Sequence, residues 1–263
     1  MELKNNERID DLQYKNLKII QNTEGFCFGI DAVLLANFAK SMKRSDVVVD
    51  LCTGTGIIAI LLSGKTNAKK IIGVEIQSEF AEMAKRSVDM NNLQDRIEII
   101  NEDLKNLNKI IPSASVDTVT VNPPYMKSGG ALTNDNDSLA IARHEVCCTL
   151  EDVIKESSRI LKTNGSFYMV HKPERLVDIF CIMRKYKIEP KRIRFVHPKM
   201  DKPANIVLIE GSKDGKSFLK FEKPLYVYED DGKYTDEIYS IYEKFEWKLT
   251  SCEMFLANLV LSV

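Results

Sequence analysis

The chain has 263 residues, 44% of them hydrophobic, enough to bury one sizeable α/β core or one domain with an appendage. Its formal net charge of -1 excludes an overall polycation, so any nucleic-acid surface has to be local. Six cysteines (Cys27, Cys52, Cys147, Cys148, Cys181, Cys252) form no CxxC pair and three histidines (His144, His171, His197) show no ligand spacing, which points to a reduced, cytoplasmic protein with no metal.

Residues 1–8 are charged and lack the apolar region of an export signal. No stretch approaches the apolar length of a membrane span, so no membrane partner is expected. Residues 9–20 alternate loosely and predict a short hairpin or edge strand. A loop, Gln21-Asn22-Thr23-Glu24-Gly25-Phe26-Cys27-Phe28-Gly29, leads to a helix over residues 31–42. Asp31 is its expected N-cap, with Val33, Leu34, Leu35, Phe38 and Met42 on the apolar face. Phe26 and Phe28 read first as a hydrophobic staple for that helix; the rival role is a lid over a cofactor.

Val47-Val48-Val49-Asp50-Leu51 has nothing polar before Asp50, as in a parallel strand covered on both faces. It runs into Cys52-Thr53-Gly54-Thr55-Gly56 and an apolar helix over 57–63. Strand, glycine turn and helix make a nucleotide-binding opening, because glycines permit a tight turn and let a ligand approach the backbone. The next strand, Ile71-Ile72-Gly73-Val74-Glu75, ends in an acid about 20 residues past the turn, where a carboxylate suits the ribose hydroxyls of an adenosine. A helix over 79–90 stops at Asn91-Asn92. The third strand, Ile97-Glu98-Ile99-Ile100, brings Asp103 to the same crevice, placed to meet an adenine amino group.

The fourth strand, residues 115–121, delivers Asn122-Pro123-Pro124-Tyr125. Two prolines forbid a helix and push Asn122 toward an extended conformation. An amide, two carbonyls and a ring then face the crevice where open α/β sheets bind ligands. Amide and carbonyl oxygens accept hydrogen bonds from an amino group, and a ring holds a flat base by its face. The pattern predicts a site that modifies an amino group; a plain strand-to-loop turn is the alternative.

Residues 126–143 are polar and Gly/Asn/Asp-rich, the usual make-up of a substrate lid. His144 and Glu145 read as a packed histidine and a helix-start acid rather than a catalytic pair. A helix over 150–162 is expected to stop at Asn164-Gly165, a C-cap signal. A strand over 166–171 follows, then a helix from Pro173 to about residue 186. Residues 184–202 are basic, and Arg192 and Arg194 alternate with Ile193 and Phe195. They suit a phosphate-binding stripe or equally an edge strand kept basic against aggregation. Residues 204–211 read as a buried strand, 218–221 and 225–228 as a terminal hairpin around Pro224, and 229–247 as one closing helix. The expected organisation is an N-terminal segment with a lid helix (1–45), a core with a C-terminal hairpin (46–247) and an apolar tail without assigned role (248–263).

The order Asp50-x-x-x-Gly54-x-Gly56, Glu75, Asp103, then Asn122-Pro123-Pro124-Tyr125 resembles class I S-adenosylmethionine-dependent methyltransferases, in the branch acting on exocyclic or amide nitrogens. Asp10-Asp11-Leu12, Gln21 and the run from Phe26 through Gly29-Ile30-Asp31-Ala32 to Leu35 resemble the N-terminal signature of the tRNA adenine-N6 methyltransferases, which modify the adenine beside the anticodon of a valine tRNA. Ala142-Arg143-His144-Glu145 and residues 187–198 are similar to that family as well. The resemblance covers about residues 7–245.

It implies a Rossmann-like α/β fold with a seven-stranded, mostly parallel sheet and helices on both faces. It implies S-adenosyl-L-methionine as cofactor and tRNA as partner; the oligomeric state stays open, with a monomer as the expectation. Asp50, Cys52, Thr53, Gly54 and Gly56 would line the methionine end, Glu75 and Ile76 the ribose, and Asp103 and Leu104 the adenine, with Gln21, Phe28 and Asn122 completing the set. Asn122 and the Pro123 carbonyl would accept the target N–H bonds, Pro124 would stiffen the elbow and Tyr125 would stack on the base. Lys127, Arg143, Arg192 and Arg194 would contact RNA. Glutamine methyltransferases of release factors share this motif but carry a longer helical N-terminal domain, and guanine-N2 rRNA methyltransferases usually have Phe at the last motif position. A dinucleotide dehydrogenase fits Gly54-x-Gly56-x-x-Ala59 but leaves Asp50 and the Asn-Pro-Pro-Tyr elbow without a role.

Overall fold

The computed structural model describes residues 3–23, 29–39, 41–43, 46–123 and 148–242. Its frame is one sheet in which seven long strands stand in the order β5-β4-β3-β6-β7-β9-β8. These are β3 (Val47–Leu51), β4 (Lys70–Glu75), β5 (Ile97–Asn101), β6 (Val116–Val121), β7 (Leu161–His171), β8 (Ile188–His197) and β9 (Ile206–Lys213). All run parallel except β9, which lies antiparallel between β7 and β8. The expected seven-stranded, mostly parallel sheet is therefore present.

Strand alternation divides the core. Val48 points into one layer, packed with α1 (Ile30–Phe38), α2 (Ile57–Lys65), α3 (Ser78–Met90) and α6 (Asp236–Ile241). Val49 and Leu51 point into the other, packed with α4 (Leu150–Ile160), α5 (Leu176–Lys185) and the 3-10 turn Leu104–Lys109. The central strands read as unbroken apolar runs because both faces are covered.

The N-terminal alternation forms a hairpin of β1 (Glu7–Asp11) and β2 (Lys18–Asn22), a separate two-stranded sheet. Asn91, the expected helix stop, does more than end α3. Its side chain accepts from the Lys18 N–H at 2.9 Å and donates to the Lys18 carbonyl at 2.7 Å, a side-chain imitation of a strand partner. Ser87 Oγ accepts from the Ile20 N–H at 2.9 Å. At the hairpin's other end Arg86 grips the covered side chain of Glu7 with both terminal nitrogens, at 2.8 and 2.6 Å.

Four expectations change. The first helix runs over Ile30–Phe38, four residues short of the expected end, and its N-cap position is Gly29, not Asp31. The fourth helix ends at Ile160 and the chain enters β7 directly, so Asn164-Gly165 is no helix cap. Asn164 takes a φ of 63° within a register shift between β6 and β7, so a left-handed position that looks like a helix end is a strand irregularity. The terminal segments β10 (Lys220–Phe221) and β11 (Leu225–Tyr226) do not pair with each other; both run parallel to β8 and widen the sheet to nine strands. Within the described residues the closing helix is the short α6; the last part of the expected helix, 243–247, and the tail over 248–263 lie outside them.

Arg86→Ala is expected to cost about 1–2 kcal/mol, since charge-assisted bonds to a covered carboxylate are lost. Amide hydrogen exchange should then rise through β1 and β2 before it rises in the central sheet. Equal protection in both variants would mean that the pair does not hold the hairpin.

Candidate functional site

The parallel strands β3, β4, β5 and β6 end along one edge of the sheet, and the polar residues singled out in the sequence gather there. Asp50 is completely buried. Its Oδ2 accepts from Thr53 Oγ1 at 2.5 Å and its Oδ1 from Thr120 Oγ1 at 2.6 Å. One bond reaches into the glycine turn and the other crosses to β6. Burial pushes Asp50 up to about 7 against the pull of both hydroxyls, and the nearby Glu75 adds to the rise.

The turn itself is a run of left-handed positions, with φ of 57° at Cys52, 58° at Gly54 and 89° at Gly56. Glycine accepts this without strain, whereas Cys52 holds it at a cost of order 1–3 kcal/mol. Thr53 N–H donates to the Val74 carbonyl at 3.0 Å, and Gly54 N–H donates to Glu75 Oε2 at 2.9 Å. Glu75 Oε1 accepts from the Gln77 N–H at 2.9 Å. Each carboxylate oxygen has a second acceptor site beyond these bonds. A Cβ built at Gly54 meets nothing within 4 Å, so the turn opens onto clear space there.

Gln21, at the end of β2, is fully buried and donates through Nε2 to Thr55 Oγ1 at 3.2 Å, which ties the hairpin to the turn. Asn101 Nδ2 donates to the Glu75 and Ile76 carbonyls at 2.8 and 3.0 Å and fixes the end of β4. Asp103 accepts from the Lys105 N–H at 2.9 Å and caps the 3-10 turn, with Leu104 buried behind it. Cys52 meets Cys148, the residue two before α4; the hydrogen bond to Cys148, burial and the nearby carboxylates push the Cys52 thiol up.

At the end of β6, Asn122 Nδ2 donates to Asp31 Oδ2 at 3.1 Å, and Pro123 is buried. Phe28, Pro124, Tyr125, Lys127 and Arg143 lie outside the described residues, as do Phe26, His144 and Glu145. The sequence reading missed Thr120 and any role for Asp31 beyond capping. Thr120 had a signal, a hydroxyl two residues before Asn122 in an apolar strand; Asp31 had one in the Gly29-x-Asp31 spacing. His171 also sits at this edge, two residues past the Val121–Met169 pair. Burial pushes it down to about 4, with Arg175 adding to the drop, and its Nδ1 accepts from the Lys172 N–H at 2.8 Å.

Arg192 and Arg194 stand on β8, three strands from β6 and so roughly 15 Å away. Both have internal partners. Arg192 bonds Glu210 through Nε, Glu222 at 2.8 Å and the Phe38 carbonyl at 3.1 Å, and lies over the Phe38 ring at 3.9 Å. Arg194 forks onto Glu237 at 2.7 and 2.8 Å and donates to the Lys223 carbonyl at 2.9 Å. These guanidiniums hold the C-terminal segment to the sheet edge. The stripe read from charge alternation is thus engaged with carboxylates in this structure.

Among the described residues no helix is long and apolar enough to cross a membrane. A family model described as "Methyltransferase small domain" matches residues 29–179. A curated relative from Porphyromonas gingivalis, named tRNA1(Val) (adenine(37)-N6)-methyltransferase, is 26% identical over 90% of this chain and 94% of its own length. A relative of the same name from Tolumonas auensis is 24% identical over 90% and 97%. Among solved structures, a protein from Agrobacterium tumefaciens titled a predicted O-methyltransferase superposes with a TM-score of 0.66 at 22% identity, covering 81% of this chain and 95% of its own. Trm5 of Methanocaldococcus jannaschii, solved with adenosine, superposes with a TM-score of 0.58 at 17% identity, over 82% and 57%. At these identities the two structures speak for the fold.

Asp50→Asn is expected to flatten the stability profile between pH 4 and 7. With the native carboxyl at about 7 and the ordinary value at 3.8, the folded state holds a proton that the unfolded state releases, so native stability falls as pH rises through that window. The wild type should lose up to roughly 1.4 kcal/mol per pH unit relative to the variant. Parallel denaturation profiles from pH 4 to 8 would refute the buried-carboxyl account.

Proposed function

The chain belongs to the methyltransferase small domain family, and from that premise we propose that it is an S-adenosylmethionine-dependent N-methyltransferase acting on adenine N6 in tRNA, at the anticodon-loop adenine next to the anticodon of a valine tRNA. The observation that carries this reading is the Asn122-Pro123 elbow at the end of β6, joined through Thr120 and Asp50 to the glycine turn. The relatives' shared name supplies the nucleoside and its position.

The residues present fit the cofactor. The turn at Gly54 opens onto clear space, and both Glu75 oxygens keep an acceptor site beside their backbone donors. Asp50, Cys52, Thr53, Gly54 and Gly56 would hold the methionine end, Glu75 and Ile76 the ribose, and Asp103 and Leu104 the adenine, with Gln21 and Phe28 beside them. When bound, S-adenosylmethionine supplies a methyl group already activated on a sulfonium.

An exocyclic amine is a poor nucleophile because its lone pair is delocalised into the ring. Asn122 Oδ1 and the Pro123 carbonyl accept its two N–H bonds, which favours a pyramidal nitrogen and aims the lone pair. This is orientation and electrostatic preorganisation. Pro124 stiffens the elbow and Tyr125 stacks on the base, a contact worth about 1–3 kcal/mol. The base has to leave its stack, which is easier in a loop than in a duplex. Lys127, two residues past Tyr125, and Arg143, at the end of the polar segment that follows it, carry the RNA-contact part of the proposal. Arg192 and Arg194 would contact RNA only by exchanging their carboxylate partners Glu210, Glu222 and Glu237 for phosphates. The reducing cytoplasm, where tRNA is modified, suits the free thiols of Cys52, Cys148 and Cys181.

Incubation with labelled S-adenosylmethionine and unmodified total tRNA, followed by nucleoside analysis, tests the proposal. Label in N6-methyladenosine is expected. Label in N2-methylguanosine, or no label in tRNA while a release factor offered in a parallel incubation is labelled on glutamine, would overturn the substrate. Asn122→Ala should lower turnover by roughly 100- to 1,000-fold, the scale of one lost preorganised partner. Its binding of S-adenosylhomocysteine, measured by calorimetry, should fall far less than its turnover.

A further inference from the structure

Asp31 stands in the first turn of α1, facing the end of β6 from a position 91 residues away in the sequence. Only 8% of it is exposed. Its Oδ1 accepts from the Ala32 N–H at 2.9 Å, and its Oδ2 accepts from Asn122 Nδ2 at 3.1 Å. A carboxylate is an acceptor only. The Asn122 amide therefore has to present its nitrogen to Asp31, and its oxygen takes the other arm of the fork. The two ends of an asparagine amide are alike in shape and opposite in chemistry, so a fixed acceptor decides which one a substrate meets.

We propose that Asp31 is a positioning residue for the methyl transfer: it locks the Asn122 amide so that Oδ1, the acceptor for the target amine, faces the substrate. The inference rests on the N-methyltransferase reading above and adds to it the device that sets the polarity of the amide.

Gly29 supports this independently. Its φ of -96° and ψ of 176° suit any residue, so the backbone does not require glycine there. Space bears on Asp31, since a Cβ at Gly29 would stand 2.8 Å from Asp31 Oδ1 and the carboxylate would have to shift. The missing side chain leaves the carboxylate its seat. The amino end of α1 adds a favourable field for an anion in the first turn.

An acid that merely stabilises its own helix would behave differently from one that orients Asn122, and an exchange of the two side chains separates them. Asp31→Asn keeps the shape and keeps an oxygen for the Ala32 N–H. It turns an amide nitrogen toward Asn122, whose own amide must rotate to accept it and so shows its NH2 to the target. Asn122→Asp alone sets two carboxylates side by side. Both changes together restore a donor facing an acceptor, at unchanged net charge, with a carboxylate oxygen left for the target N–H.

The experiment measures kcat and KM for labelled methyl transfer to unmodified tRNA in the wild type, both single variants, the exchanged pair and Gly29→Ala. Thermal midpoints and calorimetric binding of S-adenosylhomocysteine are measured alongside. Asp31→Asn should lower kcat roughly 100-fold with near-native midpoint and cofactor affinity. The exchanged pair should regain at least roughly ten-fold over Asp31→Asn, a non-additivity that only a direct coupling produces. Gly29→Ala should lower kcat in the same sense. An unaffected kcat in Asp31→Asn, or an exchanged pair no faster than Asp31→Asn, would overturn the inference. If the wild type transfers no methyl group to tRNA, the substrate reading fails by itself. The Asn122 side-chain amide signal in a nitrogen-15 spectrum, assigned by its loss in Asn122→Asp, then decides the inference. A shift on Asp31→Asn supports the locked amide, and an unmoved signal refutes it.

Discussion

The site depends on one buried carboxylate. Asp50 has no exposed surface, and it takes one hydroxyl from the glycine turn and one from the neighbouring strand. Burying a carboxylate is unfavourable unless hydrogen bonds replace its water, and these two bonds are that replacement. The compensation is incomplete, which is why the group sits at about 7. The same bonds set the turn after β3 against the end of β6. A buried carboxyl perturbed in this way is common at functional sites.

Around that point the turn is closed by backbone donors rather than by packing. Glu75 draws in the Gly54 N–H and the Gln77 N–H, so a single side chain fixes both the turn and the start of α3. Gln21 adds a tie from the N-terminal hairpin to Thr55. The hairpin is itself clamped to α3 by Asn91, Ser87 and Arg86. A segment that precedes the sheet in sequence thus becomes one wall of the crevice. The other wall comes from α1, through Asp31 and Asn122.

The far edge of the sheet follows a different logic. Two short parallel strands and α6 are fastened to β8 by Arg192 and Arg194, each held by carboxylates from elsewhere in the chain. Planar guanidiniums suit this work because they bind two oxygens at once and stack on a ring, as Arg192 does on Phe38. A charge run that reads in isolation as an exposed stripe is here largely a set of internal ties.

The sequence by itself determined the parallel α/β frame, the glycine turn, the acids at the ends of β3 and β4 and the placing of Asn122 just past β6. Those features are local: an apolar run, a turn composition and a polar residue at a strand end each leave their mark within a few residues. Short-range signals also misled where two structures share one signature, as when Asn164-Gly165 looked like a helix cap and proved to be a strand irregularity. Only the tertiary structure decided which polar groups meet. Asp31 with Asn122, Asp50 with Thr120, and Arg192 with Glu210 and Glu222 are pairs made by strand order and helix placement, between residues far apart in the chain. A hydrogen bond of that kind has no periodicity and no composition, so nothing short of the fold specifies it.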